Sequence, residues 1–242
     1  MCLPYKDIVR TSVLSKKWRN HWCRLTELTL DRSLWETKKD TLCPTVKFRK
    51  IIDQLLNLHE GSVTKFTLDI SHLHSCPNID NFISFLSRND IKHLVLHLPF
   101  IKRCRLSSSL FTCSELRHLV LRYCSMRHLS AFQGFDRLIS LELYQVSISS
   151  ELLESLISRC PLLEQLVLSI SENLDRIEIN APMLRLFDFT GDISSICLKN
   201  VPRLLKVSLL GDNMQAADLD FAKVFESCSA IEHLSFDFLI RG

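Results

Sequence analysis

A six-residue pattern, apolar-x-x-apolar-x-apolar, recurs along most of this chain and constrains its fold more than any other feature. The pattern occurs nine times, at LTELTL (25–30), VTKFTL (63–68), IKHLVL (91–96), LRHLVL (116–121), LISLEL (138–143), LEQLVL (163–168), LRLFDF (184–189), LLKVSL (204–209) and IEHLSF (231–236). The last residues of each copy alternate between apolar and other side chains, which predicts a short strand with a period of two.

The spacing between these copies predicts a repeat fold. After a first step of 38 residues, successive copies start 20 to 28 residues apart, which is the period of leucine-rich repeats. One such strand cannot bury its apolar side alone, whereas stacked copies share a continuous core. The sequence therefore predicts an α/β leucine-rich-repeat solenoid of about nine irregular repeats.

The segments between the strands predict two kinds of connection. Helical patterns are present at 45–60, 78–90, 149–160 and 218–229. Ser149 or Ser150 can cap the third of these helices. No helical pattern occurs within 163–209, where the alternating segments 174–179 and 193–198 predict second strands at the back of the repeats. A proline precedes each front strand of this part, where its missing N–H removes no ladder bond.

Composition and charge exclude several classes of protein. Apolar residues form 46% of the 242 residues and charged residues 24%, which is typical of a globular chain with a core. No apolar run approaches the ~20 residues needed to cross a bilayer, and the charges of Lys6, Asp7 and Arg10 interrupt any signal-peptide core. The ten cysteines contain no C-x-x-C pair. We expect them to be reduced thiols, mostly in the core, of a cytoplasmic or nuclear protein that does not bind a membrane.

A basic segment precedes the first copy of the pattern. Residues 6–24 contain six lysines and arginines and one acid, Asp7, so the segment carries +5 against +3 for the whole chain. The sequence predicts two short helices here, and Trp18 and Trp22 fall four residues apart on one face of the second. A basic segment with aromatic residues can bind nucleic acid, but tryptophans at helical spacing beside aliphatic residues are typical of a packed face. We therefore expect a protein-docking and capping element rather than a nucleic-acid arm.

The residues from Leu3 to Asp31 resemble the latter part of the F-box motif of plant F-box/FBD/LRR proteins. The matching residues are Leu3, Pro4, Asp7, Val9, Arg10, Thr11, Ser12, Leu14, Ser15, Lys17, Trp18, Arg19, Trp22, Leu25, Leu28, Leu30 and Asp31. The segment SRCPLLEQLVL (158–168) is also typical of the repeats of these proteins. The resemblance implies a partial F-box at 1–24, made of the second and third helices of the motif, and a leucine-rich-repeat solenoid at 25–242, with no FBD region.

The resemblance also implies a function. F-box proteins of this type dock a Skp-type adaptor, the adaptor binds a cullin, and the repeats hold a protein that is to be ubiquitinated. The implied adaptor contacts are Leu3, Pro4, Val9, Val13, Leu14 and Trp18. The family's motif opens with a further helix before the position of Leu3, and since the chain starts at Met1 we expect weakened adaptor binding. The alternative is a standalone leucine-rich-repeat scaffold that binds proteins without a ligase function.

The front strands predict a surface for the protein substrate. Positions 3, 5 and 7 of each copy are expected to face away from the core, usually on a concave sheet. In the middle copies these positions include five side chains that suit protein binding, namely His93, His97, His118, Arg122 and Tyr144. The same residues are equally compatible with ordinary solvated strand positions, and the sequence leaves both interpretations open.

No pattern in the sequence predicts catalysis or a bound metal. The motifs G-x-S-x-G, H-E-x-x-H and the P-loop are absent, and five glycines are too few to suggest a phosphate-binding loop. His72, His74 and Cys76 alternate, but a zinc site needs four ligands at characteristic spacing. We therefore expect a non-catalytic protein without cofactor or metal, as the resemblance to a ligase adaptor also implies.

Overall fold

Each of the nine copies of the sequence pattern ends in a strand, and all nine strands belong to one parallel sheet. The computed structural model describes residues 24–34, 43–74, 79–101, 103–106, 108–127, 132–170, 177–191, 196–212, 224–226 and 228–239. The front strands are β1 (Glu27–Leu30), β2 (Lys65–Asp69), β3 (His93–His97), β5 (His118–Arg122), β7 (Ser140–Tyr144), β8 (Gln165–Ser169), β10 (Leu186–Gly191), β12 (Lys206–Asp212) and β13 (His233–Leu239). They lie side by side in the order of the chain, which confirms the strand predictions.

The strands stay in register because each connection returns the chain to the same edge of the sheet. The fourth residue of one copy pairs with the fourth of the next, so Leu94 lies beside Leu119 and Leu119 beside Leu141. Parallel strands need such crossover connections, since a tight hairpin would reverse the direction of the chain. The register aligns corresponding positions of successive copies in rows that run across the sheet.

The connections contain three helices in the described part of the chain. They are α1 (Pro44–Leu58), α2 (Asp80–Ser87) and α3 (Ser150–Ser158). Two short 3₁₀ helices, at Arg32–Leu34 and Ser108–Thr112, lie in other connections. The side chain of Ser149 accepts a hydrogen bond from the backbone of Leu152 at the start of α3, which confirms one of the two predicted caps. Most of the fourth predicted helix (218–229), and both helices predicted before residue 25, fall outside the described residues.

Second strands lie behind the front sheet, as the sequence predicts for its later part. Strand β9 (Ile177–Ile179) pairs in parallel with β11 (Ile196–Leu198), which confirms the two predicted back strands. A further pair, β4 (Cys104–Arg105) with β6 (Cys124–Ser125), is not predicted by the sequence pattern. Back strands therefore replace helices earlier in the chain than the periodicity indicates.

The prolines occupy one recurring turn that delivers the chain to the front sheet. In each case the backbone N–H of the first residue of the pattern donates to the carbonyl that precedes the proline: Leu163 to Cys160 at 3.1 Å, Leu184 to Ala181 at 3.0 Å and Leu204 to Val201 at 3.2 Å. Pro161, Pro182 and Pro202 are thus second in a four-residue turn, the position whose φ the proline ring fixes. The prediction that proline costs no ladder bond here is confirmed.

The core lies between the front sheet and these connections, and it takes the leucines that the pattern assigns to it. Leu119, Leu121, Leu141, Leu143, Leu166 and Leu168 are all at most 1% exposed. The same core takes the apolar stripes of the helices, such as Leu153, Leu156 and Ile157 of α3. The prediction of one shared stack is confirmed for these residues.

Most described cysteines behave as small apolar core residues. Burial raises the pKa of the Cys113, Cys124 and Cys160 thiols to about 12, so these thiols are protonated at neutral pH. Cys104 differs, because it takes part in a disulfide bond. The expectation that all ten cysteines are reduced thiols is therefore wrong for Cys104.

Candidate protein-binding surface on the front sheet

The side of the sheet that faces away from the core is called the front side here, and it carries positions 3, 5 and 7 of each copy. The register places all five predicted substrate residues on three adjacent strands of this side. His93 pairs with His118 across β3 and β5. His97 pairs with Arg122, and Arg122 with Tyr144 across β5 and β7. All five side chains are partly exposed. The structure therefore brings the predicted residues together, while their role in substrate binding stays a prediction.

Two histidines stack in the row formed by position 3. The rings of His93 and His118 lie 4.4 Å apart between centroids and 7° from parallel. Partial burial lowers the pKa of His93, and the nearby charges of His118 and Lys65 lower it further. Stacking of this kind needs a neutral ring on at least one side, since two imidazolium ions at this distance would repel each other. The pair therefore presents a flat aromatic surface in which the lowered pKa of His93 favours a neutral ring.

The row formed by position 7 begins with an acid and a histidine. Nδ1 of His97 lies 3.7 Å from Oδ2 of Asp69, whose other oxygen accepts hydrogen bonds from the backbone and hydroxyl of Ser71 at 3.1 and 2.7 Å. Burial opposes ionisation of Asp69, but the bonds from Ser71 lower its pKa. Burial and the charge of Arg122 lower the pKa of His97 despite the attraction of Asp69. His97 is therefore favoured in its neutral form, so its contact with Asp69 is not a full salt bridge at neutral pH.

Arg122 and Tyr144 continue this row as a cation–π pair. The guanidinium carbon of Arg122 lies 4.0 Å above the centre of the Tyr144 ring. The Tyr144 hydroxyl donates to Oε2 of Glu142 at 2.9 Å. Burial raises the pKa of Tyr144, and its bond to Glu142 raises it further. Nε of Arg122 is buried and has no hydrogen-bond partner within the described residues.

A further acid on the front side was not singled out by sequence reasoning. Position 5 of successive copies aligns Val120, Glu142, Val167 and Asp188 in one row. Oδ1 of Asp188 is buried without a hydrogen-bond partner in the described part of the chain. Burial raises the pKa of Asp188, an effect that Lys206 opposes and Glu142 strengthens. The rule that positions 3, 5 and 7 face forward would have found this residue, had it been applied to the seventh copy.

One front-side position is almost fully covered although it faces away from the core. Ser140 occupies position 3 of the fifth copy, yet it is only 4% exposed. The register places it between His118 and Gln165, whose longer side chains flank the small serine. A short side chain between two long ones is covered even on an open sheet. Ser140 therefore faces the front side, as predicted, but its neighbours cover it.

The described residues offer neither a candidate metal site nor a candidate membrane span, and they do not include the predicted adaptor contacts. The described ranges hold no group of three or more His, Cys, Asp or Glu side chains that could bind a metal ion. None of the helices in this part of the chain has the length and apolar character of a membrane span. The predicted adaptor contacts Leu3, Pro4, Val9, Val13, Leu14 and Trp18 lie outside the described residues.

A parallel sheet of pattern-matched strands, with apolar residues on one side and varied polar and aromatic residues on the other, defines a repeat protein of the leucine-rich type. Comparison with known proteins gives the family. The sequence model described as FBD-associated F-box protein At5g56370, LRR repeats, matches residues 79–224. The chain therefore belongs to the plant family of F-box/FBD/LRR-repeat proteins.

Curated relatives from Arabidopsis thaliana are similar over most of the chain. The F-box/FBD/LRR-repeat protein At1g13570 is 37% identical over 239 residues, covering 96% of this chain and 57% of the relative. The FBD-associated F-box protein At5g56370 is 30% identical over 220 residues, covering 86% of this chain and 50% of the relative. The chain thus spans about half the length of the curated relatives it matches.

Proposed function

We propose that this chain is the substrate-recognition subunit of a Skp–cullin–F-box ubiquitin ligase. In this proposal the segment 1–24 docks a Skp-type adaptor, which binds the cullin, and the repeats at 25–242 hold the protein to be ubiquitinated. The observation that carries the proposal is the F-box-like run of residues directly before the first repeat, in a chain that belongs to the F-box/FBD/LRR family. We place this function in the cytoplasm or nucleus.

The finer architecture belongs to the same proposal. We infer a leucine-rich-repeat solenoid of about nine turns, with a two-helix F-box segment against its first turn. The nine front strands support it, because they follow the order of the chain and every connection returns to the same edge of the sheet. Terminal repeats need a cover for their apolar core, and Trp18 and Trp22 would supply it above Leu28 and Leu30.

The chain itself needs no catalytic residues in this role. In a cullin-type ligase the transfer of ubiquitin is carried out by other subunits, so the substrate receptor contributes binding and position only. The front side fits such a receptor. Its histidines, Arg122 and Tyr144 are partly exposed, and arginine and aromatic residues are common in the buried centres of protein interfaces.

Co-purification with a Skp-type adaptor tests the ligase part of the proposal. The full chain is expressed with the adaptor, beside a Leu14→Asp/Trp18→Ala variant and a Lys16→Gln control that removes one positive charge. We expect the adaptor to be retained by the full chain and the control but lost by the double variant. An adaptor that is not retained by the full chain would favour the standalone binding scaffold instead, whereas equal retention by all three would contradict docking through Leu14 and Trp18.

The substrate part needs a separate test on the front side. Arg122→Glu combined with Tyr144→Ala should reduce capture and ubiquitination of a bound partner while leaving adaptor binding intact. Both side chains lie on the partly exposed side of the sheet, so the free energy of unfolding should change little. A partner captured equally by this variant and the unmodified chain would place substrate binding elsewhere.

A further inference from the structure

The segment that contains the third and fourth copies of the repeat has a positive net charge larger than that of the whole chain. Residues 91–127 contain seven lysines and arginines and a single acid, Glu115, which gives this segment +6 against +3 for the whole chain. The remainder is therefore negative by about three charges. Glu115 is itself engaged by Arg137 at 2.6 Å, so the one acid of the segment is neutralised by a cation from outside it. The cations of this segment lie on different sides of the repeats, with Arg105 on the back strand β4 and Arg122 on the front side at the end of β5. A net positive segment attracts acidic partners, and Arg122 is its cation on the front side.

The same segment exposes the two most exposed large apolar side chains of the described residues. Phe100 is 61% exposed and Ile101 is 58% exposed. They lie three and four residues after the end of β3, beyond the edge of the sheet where the front strands end. Phe100 also makes an edge-to-face contact with Tyr123, at 6.2 Å between ring centroids. Adjacent exposed apolar side chains of this size mark an interaction site more often than isolated ones do.

The backbone at this edge is held in an unusual conformation. Tyr123 and Gln145, the residues after strands β5 and β7, have φ values of +59° and +53°. Residues other than glycine rarely adopt such φ values, and an aromatic side chain makes no local hydrogen bond that would offset the strain. The N–H of Tyr123 nevertheless donates to the carbonyl of Tyr144 at 3.0 Å, which anchors the turn. The left-handed turn thus keeps Tyr123 beside Phe100 and directly after Arg122.

These residues form one continuous surface with the front side. We define the edge patch as Phe100, Ile101, Arg122 and Tyr123. It adjoins His97, which pairs with Arg122 in register and precedes Phe100 by three residues. It also adjoins Tyr144, on whose ring the Arg122 guanidinium stacks. Aromatic residues and arginine are the side chains most often found at the energetic centre of protein interfaces.

We propose that the edge patch binds an acidic peptide segment of the partner protein that also carries a large aliphatic side chain. The carboxylates would pair with Arg122 within the positive segment, and the aliphatic side chain would pack on Phe100 and Ile101. This inference rests on the proposed function, since it states which chemistry the substrate side of the receptor selects. A nucleic acid would match the charge, but it has no aliphatic group to cover Ile101.

Three peptides test the two chemical requirements separately. The probe is a fluorescein-labelled dodecapeptide with four repeats of Glu-Glu-Leu, and its binding to the full chain is measured by fluorescence anisotropy at physiological salt. The first comparison peptide has Gln-Gln-Leu repeats and lacks the charge, and the second has Glu-Glu-Ser repeats and lacks the aliphatic group. We expect each comparison peptide to bind at least tenfold more weakly than the probe. A single-stranded dT oligonucleotide of twelve nucleotides is expected to bind more weakly than the probe as well.

Matched variants locate the binding on the surface. Arg122→Gln and Phe100→Ser should each weaken probe binding at least fivefold, and Ile101→Ser provides a second apolar variant should Phe100→Ser not fold. The controls are Arg185→Gln, an exposed arginine outside the patch, and Leu162→Ser, which is 46% exposed in a distant turn. Both controls should stay within twofold of the unmodified chain, and circular dichroism verifies the fold of every variant.

The proposal is overturned if the probe does not bind, if either comparison peptide binds as tightly as the probe, or if the oligonucleotide binds more tightly than the probe. It is also overturned if the control variants weaken probe binding as much as the patch variants do. The adaptor co-purification described above separates this result from the proposed function. Adaptor retained without peptide selectivity contradicts the edge patch alone, whereas peptide selectivity without adaptor contradicts the ligase role and leaves the patch in place.

Discussion

The two sides of the nine-stranded sheet are formed by the same strands but obey different constraints. On the core side, positions 4 and 6 are apolar in every copy and are at most 2% exposed from the first copy to the eighth. On the front side the neighbouring positions hold histidine, valine, glutamate, arginine, tyrosine and aspartate, all partly exposed, with Ser140 as the exception. Close packing fixes the residues of the core side. The front side has no such constraint and can therefore carry the features of a binding surface.

The last front strand shows that the pattern alone does not bury a residue. Strand β13 repeats the pattern, yet Leu234 at its position 4 is 47% exposed, whereas Leu119, Leu141 and Leu166 at the same position of earlier copies are at most 1% exposed. Within the described residues β13 pairs on one side only, with β12. Strand β1 also pairs on one side only, yet its Leu28 is 1% exposed, so a missing strand neighbour alone does not expose a repeat position.

The largest expected effect separates the two sides within one strand. Leu121→Ala removes a fully buried side chain from β5 and leaves a cavity, so the free energy of unfolding should fall by about 2–5 kcal/mol. Val120→Ala, one residue earlier on the front side, should cost less than about 1 kcal/mol. Urea denaturation of both variants measures the difference. Equal losses would show that the front side is packed like the core.

A smaller effect is expected when the same pattern position is changed in the last strand. Leu234 is about half exposed, so Leu234→Ala should lower the free energy of unfolding by only about 1 kcal/mol. The contrast with Leu121→Ala in urea denaturation reports how much of a leucine's contribution comes from its neighbours. A loss as large as that of Leu121→Ala would mean that β13 is covered in solution.

Much of the core side was predictable, whereas the features that distinguish the front side were not. Leucine periodicity gave all nine strands and three helices, because burial forces apolar residues onto one side of each element. The two-residue strands β4 and β6 are too short to show a period. Phe100 and Ile101 are of residue types that usually lie in the core. Their exposure follows from where the chain turns after β3. The left-handed turn at Tyr123 has no sequence signal either, since tyrosine is not a residue that favours it.

The smallest expected effect concerns pH and the histidines of the front side. The pKa values of His93 and His97 are lowered in the folded chain, so the unfolded chain binds more protons in the window from the unfolded value of 6.5 down to the folded values. Stability should therefore fall as the pH is lowered through this window, by a small amount because both rings are partly exposed. A His93→Gln/His97→Gln variant should lose less stability than the unmodified chain between pH 7.5 and 5.5 in urea denaturation. An identical loss in both would mean that other groups control this dependence.

We infer that a partner binds the front side near the third and fourth copies. Modification of histidines by diethyl pyrocarbonate, followed by mass spectrometry, tests it directly, because the reagent attacks neutral imidazole and His97 is favoured in that form. The full chain is treated at pH 7 with and without the Glu-Glu-Leu peptide. His97, whose side chain is 28% exposed, should be modified in the free chain and protected by the peptide, while His233 on the exposed strand β13 should react equally in both. Unchanged modification of His97, or equal protection of His233, would contradict the claim.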